Sequence, residues 1–224
     1  MKKIKTLTVQ FDNDLSPKLV PAFRGAVIEK VNRDHILFHQ HKSDTEVLYT
    51  YPLVQYKSLH KKPAIVCLGD GVTELYRLLS QPNLTIKIHD EKVELIIDKI
   101  ELNNFDLSID SKLKYSYHIV NWLGLNKLNN EKFNAIKSQE EKVTFLENIL
   151  KANILSFAKG MDWTIEQNIM VSILEVKDQR IIRFKGIPLN AFDLIFETNV
   201  SLPLFIGLGK SVSHGYGMLK SKKK

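Results

Sequence analysis

The feature that most constrains the fold is a glycine-rich segment in the last part of the chain. Four glycines there alternate with basic and hydroxyl side chains, in the run Gly207-Leu-Gly209-Lys210-Ser211-Val-Ser213-His214-Gly215-Tyr216-Gly217. Residues without a Cβ atom allow tight turns and a close approach of the main chain to another group. Backbone N–H groups, lysine and serine can then donate to an anion. The segment therefore predicts either a phosphate-binding loop or a glycine-rich turn between two closing strands.

The spacing of these glycines disfavours two familiar nucleotide-binding motifs. In a P-loop that ends at Gly209-Lys210, the first glycine would occupy position 204, where this chain has leucine. The residues after the glycines also do not predict the helix that a P-loop or a dinucleotide fingerprint requires. The sequence therefore argues against a nucleotide-binding or ligand-binding regulatory domain.

The hydrophobic pattern of the first half predicts a ferredoxin-like unit. Residues 4–11 alternate as a strand, and Ser16-Pro17 is a helix-start signal before apolar residues at helical spacing. The remaining predicted elements are strands at 53–56 and 64–68, a helix at 71–79 and strands at 85–88 and 93–97. The order βαββαβ with an added strand is typical of two helices covering one face of an antiparallel sheet.

The second half predicts a further α+β unit. Residues 115–122 alternate as a strand, and residues 130–158 have the apolar spacing of one or two helices. Strands at 169–176 and 181–184 flank Lys177-Asp178-Gln179, which indicates a hairpin turn there. A last strand at 194–200 leads to the glycines. No clear sequence repeat relates the two halves.

Composition and charge limit the class of protein. With 224 residues, 44% of them hydrophobic, the chain can bury a substantial core, and its net charge of +7 favours an anionic partner or a solvated basic surface. The single cysteine, Cys67, lies in an apolar run and is interpreted as a small buried hydrophobe. No stretch of sequence predicts a signal peptide or a membrane span, so we expect a cytoplasmic protein that makes no membrane contact.

The glycine-rich segment resembles the C-terminal motif of the repeat-associated RNA-binding superfamily of CRISPR systems. Within it, the chain is similar to the repeat-processing endoribonucleases, and the stretch that carries the resemblance is Gly209-Lys-Ser-Val-Ser-His-Gly-Tyr-Gly217. His214 departs from the pattern, which more often has arginine or lysine. The resemblance implies an RNA-binding set made of Gly207, Gly209, Lys210, Ser211, Ser213, His214, Gly215 and Gly217.

Three histidines, His35, His39 and His41, fall within seven positions after the first predicted helix. In an extended segment residues 39 and 41 project to the same side, so two imidazoles could flank one reacting group. Histidine pairs also bind zinc, but no cysteine-rich or Asp-His partner set accompanies them here. A polar loop without catalytic function is the third interpretation. Metal binding is the least favoured of the three.

The resemblance selects catalysis among these interpretations. The b-type members of the family carry a His-x-His pair after the first helix with a tyrosine nearby, and His39, His41 and either Tyr49 or Tyr51 match that pattern. Tyr49 is preferred over Tyr51, and His35 lies outside the pair and is assigned a structural or solvent-facing role. The resemblance also implies tandem ferredoxin-like (RRM-like) domains, at residues 1–110 and 111–224.

The activity that the resemblance implies is metal-independent cleavage of CRISPR repeat RNA without a cofactor. A 2′-hydroxyl would attack the adjacent phosphorus and leave a 2′,3′-cyclic phosphate and a 5′-hydroxyl. The alternative is a catalytically silent RNA-binding subunit of the same superfamily. Implied partners are the repeat RNA, subunits of a CRISPR effector complex and a second copy of the chain in a homodimer.

Overall fold

The computed structural model describes residues 1–31, 51–184 and 186–222. These residues form two compact units. The N-terminal unit comprises Lys3–Phe105 and Ser213–Gly215, and the C-terminal unit comprises Met1–Lys2, Asp106–Val212 and Tyr216–Lys224. The histidines at 35, 39 and 41 and the tyrosine at 49 lie outside the described residues.

The N-terminal unit follows the predicted ferredoxin-like order of elements, but it has two strands, Glu91–Glu94 and Ile97–Leu107, where the sequence predicted one at residues 93–97. Its strands are β1 (Lys2–Phe11), β2 (Val54–Leu59), β3 (Lys62–Leu68), β4 (Thr85–Ile88), β5 (Glu91–Glu94) and β6 (Ile97–Leu107), and its helices are α1 (Val20–Lys30) and α2 (Gly71–Leu79). The main sheet has the order β2-β3-β1-β6, and β4 and β5 form a separate hairpin. Strand β3 runs antiparallel to both β1 and β2.

The core of this unit is built from alternating strand residues and one face of α1. Val9 and Phe11 on β1 are fully buried, as is Phe23 on α1. The ring of Phe23 stands edge-on to those of Phe11 and Tyr56, with centroids 6.3 Å and 5.8 Å away. This packing fixes α1 on the sheet.

The start of α1 differs from the sequence prediction. Ser16 makes no side-chain capping hydrogen bond, because the chain first passes through a short 3₁₀ turn, Pro17–Leu19. The α-helix then begins at Val20, with Pro21 in its first turn. The fixed φ of proline favours a helix start at both Pro17 and Pro21. The sequence therefore predicted a helix correctly but placed its start a few residues too early.

The C-terminal unit contains a second four-stranded antiparallel sheet. Its elements are β7 (Tyr115–Trp122), α3 (Lys127–Ala135), α4 (Gln139–Gly160), β8 (Val171–Phe184), β9 (Ile187–Thr198) and β10 (Met218–Ser221), and the sheet order is β10-β7-β9-β8. Two polar side chains cap the helices. Asn126 accepts from the amide of Asn129, and Ser138 accepts from that of Glu141.

The prediction of a hairpin turn at residues 177–179 is wrong. Strand β8 continues through these residues, and its register against β9 shifts between Ile173 and Glu175 and between Val176 and Asp178, as β-bulges do. The turn lies between the paired residues Phe184 and Ile187. A two-residue hairpin needs positive φ, which Gly186 supplies at 80°.

The core of the C-terminal unit lies between this sheet and the two helices. Phe192 on β9 contacts Trp122 on β7 and Phe133 on α3, with ring centroids 5.9 Å and 5.3 Å apart. The two units together give the tandem ferredoxin-like, α+β architecture. Within the described ranges, none of the helices is both long enough and apolar enough to cross a membrane.

Candidate nucleic-acid interface

The glycine-rich loop is fixed to the end of strand β7. The amide of Lys210 donates to the carbonyl of Leu123 at 2.9 Å. Gly209 has a φ of 91°, and a Cβ atom there would stand 2.8 Å from both the Leu123 oxygen and the Nε1 of Trp122. Position 209 therefore admits only glycine without a local shift.

A second attachment closes the other end of the loop. The amide of Leu208 donates to the carbonyl of Gly217 at 2.9 Å, and the amide of Gly217 donates to the carbonyl of Asn121 at 3.0 Å. A Cβ atom at 217 would lie 1.9 Å from the Leu208 oxygen, and one at Gly207 would lie 2.6 Å from the Cβ of Val212. Contacts within the protein thus explain why three of these four positions are glycine.

This finding revises how the loop could bind an anion. The sequence suggested that the glycines expose backbone amides to phosphate, but the amides of Leu208, Lys210 and Gly217 donate to protein carbonyls. These three amides are therefore engaged within the protein and do not face an anion. The glycines serve to hold that loop in shape.

The predicted polar residues of the loop differ in their accessibility. Lys210 is exposed, Ser211 and His214 are half-buried, and Ser213 is buried. The hydroxyl of Ser213 lies 3.3 Å from the Nδ1 of His214. Gly215 is half-buried with a φ of 89°. Lys210 is consequently the side chain of this set that is best placed to meet a phosphate in solution.

The backbone at Ser211 is strained. Its φ of 56° lies in the left-handed region, which few residues other than glycine and asparagine occupy. Such conformations cost on the order of 1 kcal/mol and persist where surrounding contacts impose them. The attachment of Lys210 to Leu123 supplies such a contact immediately before it.

Tyr51, the second choice for the predicted catalytic tyrosine, lies three residues before the start of β2. It is 9% exposed, and its hydroxyl accepts from the Nε2 of Gln55 at 2.9 Å. Burial raises the pKa of this phenol above its ordinary value. These contacts fit a packing role for Tyr51 and leave Tyr49 as the preferred residue of the pair.

Strand β2 also carries a fully buried lysine that sequence reasoning did not single out. Lys57 has no exposed surface, and this desolvation lowers its pKa to about 7. Nearby, burial also lowers the pKa of Arg24, while Tyr56 opposes that shift. The only signal in the sequence was a lysine within a strand of otherwise inward-packing residues. Lysines with a pKa near neutral are uncommon, and groups with such perturbed pKa values are concentrated at functional sites.

The described residues offer no obvious place for a metal. Within residues 1–31, 51–184 and 186–222, no three side chains of the types His, Cys, Asp and Glu come close enough to hold an ion. Cys67, on β3, is completely buried, and burial raises the pKa of its thiol. It has the inert, apolar role that the sequence predicted.

Two family models match the chain, one on each half. The Cas6b N-terminal domain matches residues 2–106, and the Cas6b C-terminal domain matches residues 109–222. An uncharacterized protein of Methanocaldococcus jannaschii is 31% identical over 119 residues, which is 53% of this chain and 78% of that protein.

Solved structures share the fold over the whole chain. A crystal structure of Cas6b superposes with a TM-score of 0.88 at 22% identity, covering 99% of this chain and 100% of that one. A crystal structure of the CRISPR RNA processing endoribonuclease Cas6b does so with a TM-score of 0.75 at 23% identity and the same coverage. With both halves matched in order, the chain belongs to the Cas6b family.

Proposed function

We propose that the protein is a metal-independent endoribonuclease that cleaves CRISPR repeat RNA. The observation that carries this proposal is the match of both halves to the two domains of one family. A structure named as a CRISPR RNA processing endoribonuclease aligns with 99% of the chain and supports the same class of activity. The net charge of +7 suits an RNA substrate.

The chemistry follows from the two histidines of the predicted pair. One imidazole, of His39 or His41, removes the proton from a 2′-hydroxyl, whose oxygen then attacks the adjacent phosphorus. The other imidazole protonates the departing 5′-oxygen. Unperturbed imidazole has a pKa of about 6.5, so one ring can act as base and another as acid near neutral pH. Tyr49 donates a hydrogen bond to the scissile phosphate.

RNA binding is assigned to the glycine-rich loop. Lys210 contacts phosphate as an exposed cation, and Ser211 and His214 contribute from half-buried positions. The fixed loop conformation reduces the entropy lost when these side chains engage the backbone of the RNA. Such contacts position the substrate and do not by themselves read its sequence.

The test is cleavage of the host's own repeat RNA in EDTA by the wild type, His39→Ala, His41→Ala and the double variant. We expect one cleavage site with cyclic-phosphate and 5′-hydroxyl ends, and we expect the double variant to lose it. His89→Asn is the matched control, since His89 is exposed with a φ of 52° that asparagine tolerates. Cleavage that survives in the double variant would refute the assignment of the histidines.

The second candidate function is a catalytically silent RNA-binding subunit, which has the same fold. Tight binding of the repeat RNA by the wild type without any cleavage would favour it. In either case the bound RNA could pass to subunits of a CRISPR effector complex. Copurification of such subunits with the RNA-loaded protein would test that partnership.

A further inference from the structure

Strand β7 contains a bulge close to the points where the glycine-rich loop is attached. Its register against β9 shifts between Ile119 and Trp122, so that two residues of β7 stand opposite the single residue Asp193 of β9. Asn121, in this bulge, has a φ of 53°, which asparagine adopts more readily than most residues. The bulge thus sets the direction in which the end of β7 continues.

Both attachments of the loop depend on this part of β7. The carbonyl of Asn121 accepts from the amide of Gly217 at 3.0 Å. The carbonyl of Leu123, two residues later, accepts from the amide of Lys210 at 2.9 Å. A change of backbone conformation at Asn121 would therefore move both acceptors relative to the sheet. The position of Lys210 is coupled in this way to the geometry of the bulge.

Arg180 on β8 and Asp193 on β9 hold the bulge in place. The Oδ1 of Asp193 accepts from the amide of Asn121 at 2.7 Å and from the Nη2 of Arg180 at 3.3 Å. The same Nη2 also donates to the Oδ1 of Asn121. Hydrogen bonds from a charged guanidinium and to a carboxylate are among the stronger ones in proteins. The main chain and the side chain of Asn121 are therefore both bound by residues of neighbouring strands.

The guanidinium of Arg180 is engaged within the protein. Its Nη1 donates to Asp178, a second carboxylate on β8. The side chain of Asp193 is 20% exposed and that of Asp178 is 51% exposed, so solvent screens the pair with Asp193 less. By charge alone, Arg180 would be counted among the phosphate contacts of a basic protein. Its contacts instead assign it to the bulge.

We propose that Arg180 and Asp193 are positioning residues, which fix the glycine-rich loop through the bulge at Asn121 and so present Lys210 to phosphate. The last step rests on the proposed binding of RNA by this loop. In this role neither residue touches the RNA, and both act through the backbone of β7. A loop that is held in advance loses less conformational freedom on binding, so loosening it lowers affinity.

Amide hydrogen exchange in the free protein, followed by NMR, tests the hold on the loop. Arg180→Ala should speed exchange about tenfold at the amides of Lys210 and Gly217. The amide of Trp163, which donates to the carbonyl of Ala158 at 2.9 Å in the same unit, is the control and should not change. Equal acceleration at all three amides, or none at the loop, would overturn the proposal. The measurement contains no RNA, so it gives its answer whether or not the proposed function is right.

The binding of repeat RNA tests the second part of the proposal by the sign of an effect. Asp193→Asn removes an acid and makes the protein more basic, which by charge alone should tighten RNA binding. Positioning predicts the opposite. Affinity should fall several-fold, because the ion pair that holds the bulge is lost. Glu131→Gln, at an exposed acid of α3, is the matched control and should not weaken binding. An affinity of Asp193→Asn equal to or above that of the wild type would contradict the positioning role.

A double-variant cycle separates positioning from direct contact with RNA. If Arg180 acts through Lys210, the variant that carries both Arg180→Ala and Lys210→Ala should bind about as weakly as the weaker single variant. If Arg180 itself touches phosphate, the two losses multiply and the salt slope falls by about two, which would refute the proposal. No effect of Lys210→Ala alone would instead show that the proposed RNA site is wrong, and the exchange rates would still decide whether Arg180 holds the loop.

Discussion

The Nε1 of Trp122 donates a hydrogen bond to the Oδ1 of Asn153 at 2.9 Å and lies 2.8 Å from where a Cβ on Gly209 would stand. One indole nitrogen thus links strand β7, helix α4 and the glycine-rich loop. The shape of the candidate RNA-binding loop is therefore set by the core of the C-terminal unit. A change in that core should disturb the loop, and a change in the loop should disturb the core.

Gly209→Ala should destabilise the protein by about 3 kcal/mol, because alanine disfavours the positive φ and its methyl group displaces the Trp122 ring. Denaturant unfolding followed by tryptophan fluorescence measures this change. Gly25→Ala is the matched control. Gly25 lies in α1 with nothing within 4 Å of its added Cβ, so this substitution should stabilise by roughly 0.5–1 kcal/mol. Equal effects of the two substitutions would contradict the packing role of Gly209.

Lys210→Ala should weaken the binding of repeat RNA and reduce the slope of log affinity against log salt by about one, since one phosphate contact fewer releases fewer counterions. Filter-binding titrations over a range of salt concentrations measure both quantities. Lys92→Ala, an exposed lysine on β5, serves as control for the loss of a positive charge. Unchanged affinity and slope for Lys210→Ala would remove the loop from the binding surface.

Lys57 should make stability rise with pH above neutrality. Its pKa is about 7 in the folded protein and about 10.5 in the unfolded chain, so between these values the unfolded state binds the extra proton. Stability due to this residue is lowest below pH ~7 and increases on the order of a few kcal/mol towards pH ~10.5. Urea unfolding from pH 7 to 9.5 measures the slope. Lys57→Met should remove that part of the slope, whereas Lys92→Met should leave it, and parallel slopes in all three proteins would be evidence against a desolvated Lys57.

Tyr117→Phe should destabilise the C-terminal unit by about 2 kcal/mol. The Tyr117 hydroxyl donates to the carbonyl of Leu202 at 3.1 Å and accepts from its amide at 2.7 Å, and both residues are buried. Removing the hydroxyl leaves two buried backbone groups without this partner. Thermal unfolding by calorimetry measures the loss. Tyr76→Phe, at a tyrosine that is 71% exposed, should change stability by less than about 0.5 kcal/mol.

Much of the secondary structure was readable from the sequence because it depends on local periodicity. The helix at 71–79 and the strand at 115–122 are observed with the predicted bounds. The hairpin turn was misplaced because Lys177-Asp178-Gln179 has polar turn composition, yet bulges absorb these residues within β8. The actual turn depends on the positive φ of a single glycine, Gly186.

The candidate site was only partly predictable. The glycine-rich motif and the resemblance pointed to the Cas6b family, which the two domain models show. The sequence could not tell that Gly209 and Gly217 are required by contacts with Trp122, Leu123 and Leu208. It also could not tell that Lys57 is desolvated, since lysine on a strand is ordinarily solvent-facing.

The sequence by itself determined most of the helices and strands, and its motifs carried the resemblance that implied the tandem ferredoxin-like domains and the family, because periodicity and motif spacing are properties of neighbouring residues. Only the tertiary structure decided which glycines pack against the core, which loop side chain is exposed to solvent and which lysine is buried away from solvent. Burial arises when residues far apart in the chain meet, as Trp122 and Gly209 do, and no local pattern encodes that meeting.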